Sequence, residues 1–171
     1  SKKLHLSSYY LQDFILEGGS IATDGEGTLI TTEACLLSKG RNPSYTKTEI
    51  EEVLREYLGV EIVIWLPNGI YEDETNEHID NMLSFVRPGE VLLAWTDNKD
   101  DPQYEYCQKA LKVLKKQKDA KGRSLIVHKM MLPSTPLYMK ADEAKTLVNN
   151  NGTIEKREAG RRLAASYVNY Y

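Results

Sequence analysis

A chain of 171 residues with 41% hydrophobic content has the length of one ordinary domain and enough apolar material for a packed core. A net charge of -3, a pI near 5.7 and the lack of any basic stripe argue against nucleic acid as a partner. Apolar runs stay below the ~18 residues that span a bilayer, and SKKLHLSSYY lacks a signal-peptide core, so no membrane partner and a cytoplasmic location are expected.

In chain order, LITTEACLL at 29–37 and EIVIW at 61–65 are β-branched, apolar runs that predict strands. Between them, TKTEIEEVLREYLG at 46–59 changes to a helical period, with Ile50, Val53, Leu54, Tyr57 and Leu58 on one face. Thr46 with Glu49 three residues later makes a capping box, and Gly59 supplies the stop. The same order returns further on. DNMLSFV at 80–86 predicts a strand, RPGE at 87–90 a turn and VLLAWT at 91–96 a second strand. A helix near 102–117 follows, with an apolar stripe of Tyr104, Cys107, Leu111 and Leu114, and then the strand SLIVHKM at 124–130.

The turn DGEG at 24–27 matches RPGE, and EIVIW matches SLIVH, both at an offset of 63 residues. This predicts an α/β chain built on a repeated ββαβ unit. The expected partition is one unit at 12–66, a second at 76–130 and an incomplete third at 137–171.

EDETNEHIDN at 72–81 sets five carboxylates around His78. One repeat length upstream stands Glu17, 61 residues before His78, in ILEGGSI. Equivalent positions of a pseudo-symmetric fold converge, so Glu17 and His78 are expected to meet in one cavity. Gly18 and Gly19 would allow close backbone approach and unusual dihedrals. At a strand start, His78 and Asp80 would share a face. A histidine with carboxylates in reach suits a general acid/base beside an anionic pocket, and a planar guanidinium or amidinium is the natural guest. On the residues alone, a solvated surface histidine is an equal alternative.

LEGGSI at 16–21, GTLITTEACLLSKGRNP at 27–43, IWLPNGIYEDETNEHIDN at 64–81, AWTDNKDDPQYE at 94–105, DAKGR at 119–123 and LAASYVNYY at 163–171 resemble successive blocks of the agmatine deiminase family. That family belongs with the guanidino-group modifying enzymes related to bacterial peptidylarginine deiminases. The resemblance implies a pentein-type α/β propeller of five units around a central active site. It also implies hydrolysis of agmatine to N-carbamoylputrescine and ammonia through a covalent thiouronium on cysteine, with no cofactor. Glu17 then orients the histidine, His78 is the general acid/base, and Asp80 is one of two aspartates gripping the guanidinium. Glu74 and Glu77 become candidates for holding the distal amine, Glu77 standing where the family commonly has glycine.

The family's W-x-R-D block and its G-G-G-N-x-H-C block, which carries the nucleophile, have no match in this sequence. The chain resembles the middle portion of an enzyme, about two units plus part of a third. A companion chain or oligomer supplying the missing units is therefore expected. Cys35 and Cys107 lack metal or disulfide spacing and read as buried structural thiols, so deimination by the chain alone is not expected. A non-catalytic remnant that binds a cationic amine or a protein is the alternative. His128 reads as an ordinary strand residue, His5 carries no signal, and KKQKDAKGR at 115–123 reads as a solvated helix end. The acidic run lacks the spacing of a calcium loop, and no metal is expected.

Overall fold

The computed structural model describes residues 11, 13–145 and 158–170. His5 lies outside the described residues, as do 146–157 and 171 of the third expected unit. Two three-stranded sheets share one connectivity. In the first, β1 (Ile21–Thr23) runs antiparallel to β2 (Thr28–Thr32), and β2 runs parallel to β3 (Ile62–Leu66), with Thr28 opposite Ile62. In the second, β4 (Leu83–Arg87) runs antiparallel to β5 (Glu90–Trp95), and β5 parallel to β6 (Ile126–Met131), with Glu90 opposite Ile126. A parallel pair needs a crossover. That crossover contains a twelve-residue helix each time, α2 (Lys47–Leu58) or α3 (Gln103–Leu114), after the short α1 (Glu33–Leu36).

Local chemistry explains where the elements begin and end. The Thr46 and Glu49 capping box is present, and Gly59 takes φ +67° while its N–H bonds Arg55 O. LITTEACLL, by contrast, is not one strand. Thr32 Oγ1 accepts from Cys35 N at 3.2 Å, which caps α1 and ends β2. The strand expected over 80–86 likewise begins only at Leu83, because Ile79–Asn81 form a 3-10 turn with Met82 N bonded to Ile79 O at 2.8 Å.

The helix faces are narrower than the periodicity predicts. In α2, Ile50 and Leu54 are buried, whereas Tyr57 and Leu58 stay 44% and 43% exposed. Those two border an apolar groove with Leu11, Phe14 and Leu16. In α3, Gln103 and Ala110 join Cys107 and Leu114 in the interior, while Tyr104 and Leu111 are half-buried. Buried Gln103 is tolerated because Oε1 accepts from Tyr71 N at 2.6 Å and Nε2 donates to Gly69 O at 3.3 Å.

Strand β2 is buried on both faces, so it serves two cores. Leu29 packs with Cys35, Leu36, Ile50 and Leu54 beneath α2. Ile30 packs with Ile64, Leu66, Leu83, Leu93 and Trp95, residues from both sheets. Each fully buried aliphatic side chain there contributes about 1.5–3 kcal/mol, and the shared core fixes one sheet against the other. The KKQKDAKGR segment is more ordered than a solvated helix end. Buried Asp119 accepts from Arg123 N at 2.8 Å and Lys121 N at 3.0 Å, Arg123 pairs with Glu26, and Ala120 N bonds Thr28 Oγ1 at 3.0 Å. This turn of the second sheet is clipped onto the first. The C-terminal segment docks through Val168, buried in the shared core, and through Arg162, whose guanidinium meets Asp101 at 2.6 and 2.9 Å.

Candidate active site

Glu17 sits just before β1, ahead of a 3-10 turn formed by Gly18–Ser20. Ser20 donates twice to Glu17 O, and Thr31 Oγ1 holds Ser20 O at 2.7 Å, so β2 fixes the turn. His78 precedes the 3-10 turn Ile79–Asn81 on the opposite side. Glu17 Oε2 and His78 Nε2 stand 2.9 Å apart despite a sequence separation of 61. His78 and Asp80 do not share a strand face, because neither lies in a strand. The 3-10 turn brings them together instead. A methyl group placed on Gly19 would lie 2.5 Å from Asp80 Oδ2 and 2.7 Å from His78 Nδ1. Gly19 is thus the floor on which both side chains rest. Gly18 has open space around its Cα, and neither glycine adopts a positive φ, so the unusual dihedrals expected of them are not found.

The electrostatics separate the two carboxylates. Arg41 Nε bonds Glu17 Oε2, and that bond chiefly, opposed by burial and reinforced by His78, holds the Glu17 carboxyl below its ordinary value. An ionised carboxylate only accepts, so the Glu17 bond calls for a proton on His78 Nε2, while Nδ1 faces Gly19 and Asp80. Asp80 is pushed the other way. Burial raises its carboxyl pKa, the neighbouring His78 opposes the rise, and Asp73 adds to it. Its Oδ1 is buried without a hydrogen-bond partner. An unsatisfied buried acceptor is costly and marks a place where a donor belongs.

The acidic stretch divides by direction. Asp73, largely buried, accepts from Thr75 N and Oγ1 at 3.0 and 2.8 Å and from Asn81 Nδ2 at 3.2 Å, which closes the loop on itself. Glu74 lines an adjoining cavity of about 250 Å3 with Asp73, Thr75 and Asn81 on one wall and Arg161, Leu163 and Ala164 among the others. Glu77 is turned elsewhere. Its carboxylate binds Asn68 Nδ2 at 3.0 Å and Gly69 N at 2.9 Å, and its carbonyl accepts from Thr32 Oγ1 at 2.7 Å. The structure therefore brings Glu17, His78, Asp80 and Gly19 together, sets Glu74 nearby, and leaves Glu77 and Gly18 out of the cluster.

Sequence reading missed Arg41 and the nearness of Cys35, buried as expected, to the site. Arg41 lies within the quoted block GTLITTEACLLSKGRNP, but its partners stand 24 to 37 positions away and no local period announces them. Among the described residues, Glu17, Cys35 and His78 place an oxygen, a sulfur and a nitrogen within 4.8 Å of one another, the spacing a metal would need. The Arg41 cation on the same Glu17 oxygen opposes a divalent ion there, and burial pushes the Cys35 thiol up to about 11, which keeps it protonated. Cys107 is buried too, bonding Ala94 O through sulfur at 3.3 Å. His128 pairs with Glu90 on the exposed face of β6, an ordinary strand position.

These features define an α/β chain of the pentein type, with a carboxylate-oriented histidine beside a carboxylate one of whose oxygens is buried without a donor. The chain belongs to the Porphyromonas-type peptidyl-arginine deiminase family, whose model matches residues 1–171. It is 57% identical over 162 residues to the agmatine deiminase of Pseudomonas aeruginosa and 54% identical over 162 residues to that of Pseudomonas putida. Each match covers 95% of this chain and 44% of the relative, so the chain spans less than half the length of these proteins. The structure of Enterococcus faecalis agmatine deiminase superposes with a TM-score of 0.87 at 44% identity, covering 98% of this chain and 45% of that one. No helix of the described residues is long and apolar enough to cross a membrane.

Proposed function

We propose that this chain supplies the guanidinium-gripping and proton-transferring part of an agmatine deiminase, which converts agmatine and water to N-carbamoylputrescine and ammonia, a route into polyamine formation. The observation that carries the reading is Asp80, whose Oδ2 converges with Nδ1 of a glutamate-bound histidine over Gly19 and whose Oδ1 is buried without a partner. Asp80 accepts N–H bonds from the planar guanidinium and holds its carbon beside His78. His78, held at Nε2 by Glu17, takes the proton of the attacking thiol at Nδ1 and passes it to the departing ammonia, then takes one from the attacking water and returns it to the sulfur as the thiol leaves. Glu74, at the wall of the adjoining cavity, meets the distal ammonium.

The sulfur nucleophile comes from outside this chain, since both of its thiols are buried and pushed toward the protonated form. The remaining propeller units, with that cysteine, belong to a companion chain or oligomer in a cytoplasmic assembly. Support for a companion lies in the apolar surface left open, including Ile126, Met131, Leu137 and Tyr138, each 48% exposed or more. The units are partitioned at 12–66, 76–130 and 137–171. The inert thiols also favour a second reading, a remnant that binds the amine without chemistry. Calorimetric titration with agmatine, for wild type and Asp80→Asn, tests the site. Binding abolished by the substitution is expected, and no binding by the wild type would remove the proposal.

A further inference from the structure

Arg41 has no part in the deiminase reading, yet it touches Glu17, His78 and the acidic loop. Its side chain is 9% exposed, and the guanidinium bonds Glu17 Oε2 through Nε, Asn76 Oδ1 and Ser38 Oγ through Nη1 at 2.8 and 3.5 Å, and Thr75 O through Nη2 at 2.7 Å. His78 Nε2 lies 3.5 Å from the same Nη2. The loop it grips is strained, for Glu72, Asn76 and Glu77 adopt φ of +62°, +61° and +63°, left-handed backbone that residues with a Cβ disfavour. Such a loop keeps its shape only where its surroundings hold it. Thr32 and Gly69 hold it at Glu77, and Arg41 holds it at Thr75 and Asn76.

We propose that Arg41 is a positioning residue that locks the acidic loop carrying Glu74 to the Glu17–His78 pair, so that the distal-amine subsite and the proton-transferring imidazole keep a fixed spacing. This rests on the deiminase reading of the same site. The planar fork of an arginine reaches a carboxylate, a carbonyl and an amide oxygen at once. A lysine ammonium in its place meets Glu17 but not both loop oxygens. Charge and fork therefore do separate jobs. The charge keeps Glu17 an acceptor and fixes the His78 tautomer, and the fork fixes the loop.

The test uses the intact protein, with any companion it retains, carrying 15N-labelled histidine. Long-range 15N–1H correlation of His78 reports the tautomer, and titrations with agmatine and with methylguanidine, which has no distal amine, report the loop. In wild type the neutral imidazole is a single Nε2–H tautomer, and agmatine binds the tighter of the two ligands. Arg41→Met gives a mixture of tautomers and loses about tenfold or more of the preference for agmatine. Arg41→Lys restores the tautomer but not the preference. An Arg41→Met protein with one tautomer and the wild-type preference overturns the inference. A wild type that binds neither guanidine overturns the deiminase reading instead, and the tautomer then decides the role of Arg41 alone. Should Arg41→Met fail to fold, Asn76→Ala removes one tether and leaves the Glu17 bond. The expected result is a reduced preference with an unchanged tautomer, and an unchanged preference counts against the proposal.

Discussion

A methyl group at residue 19 separates a site that is built around a missing side chain from one that merely contains a glycine. In Gly19→Ala the new Cβ would stand 2.5 Å from Asp80 Oδ2 and 2.7 Å from His78 Nδ1, short of van der Waals contact by roughly 0.7 Å or more. The carboxylate end of Asp80 can swing away, whereas the imidazole is held at Nε2 by Glu17. The strain is thus relieved mostly by moving Asp80 off the position proposed to grip the guanidinium. Overpacking of this kind costs about 1–3 kcal/mol of stability, and a displacement near 1 Å at a binding carboxylate costs about 10²-fold in function. Gly18→Ala is the internal control, since nothing lies within 4 Å of its added methyl and its φ is not positive. Surface changes of that type stay within about 0.5 kcal/mol. Thermal melts and agmatine titrations on the pair read both effects. The reasoning fails if Gly19→Ala binds agmatine like wild type, or if Gly18→Ala loses as much.

Three further outcomes follow from the same geometry. Asp80→Asn should raise stability at neutral pH by about 1 kcal/mol by removing the charge from a carboxylate whose Oδ1 is buried without a partner, even as it abolishes agmatine binding. Because burial raises the Asp80 carboxyl pKa, the ionised form is the destabilised one, so the gain should shrink as pH falls through that raised value and Asp80 protonates; a gain that persists in acid would refute the assignment. Cys35, fully buried with its thiol pushed up to about 11, should resist maleimide at neutral pH until the chain is unfolded, and rapid labelling of the native protein would restore it as a candidate nucleophile. Arg162→Met should cost about 3 kcal/mol, because it strands Asp101, whose side chain is 7% exposed. A melting temperature within a degree of wild type would show that the C-terminal segment is not anchored there.

What the sequence displays is periodic, and what it hides is long-range. The α2 capping box, its Gly59 stop and the second ββαβ pattern are local signals, and the structure has each of them. The convergence of Glu17 and His78 was legible through the repeat offset and the family resemblance, not through any local pattern. The boundaries failed where a side chain competes with the backbone. Thr32 ends β2 by capping α1, and the 3-10 turn at Ile79–Asn81 takes the place of the expected strand start. Gln103 entered the core because the loop at Gly69 and Tyr71 offers it two partners, which no helical period encodes. Arg41 was missed for the same reason, since its bonds to Glu17, Thr75 and Asn76 reach 24 to 35 positions along the chain. Glu77 was drawn into the site by its place among the acids, but its carboxylate serves the Asn68–Gly69 turn.

The account stands most directly on ammonia release from agmatine, measured for the chain alone, for the chain with whatever companion supplies the missing units, and for both with His78→Ala. The account predicts silence from the chain alone, activity in the assembled protein, and loss of that activity with His78. Release by the chain alone would contradict it, because Cys35 or Cys107 would then be the nucleophile that their burial denies.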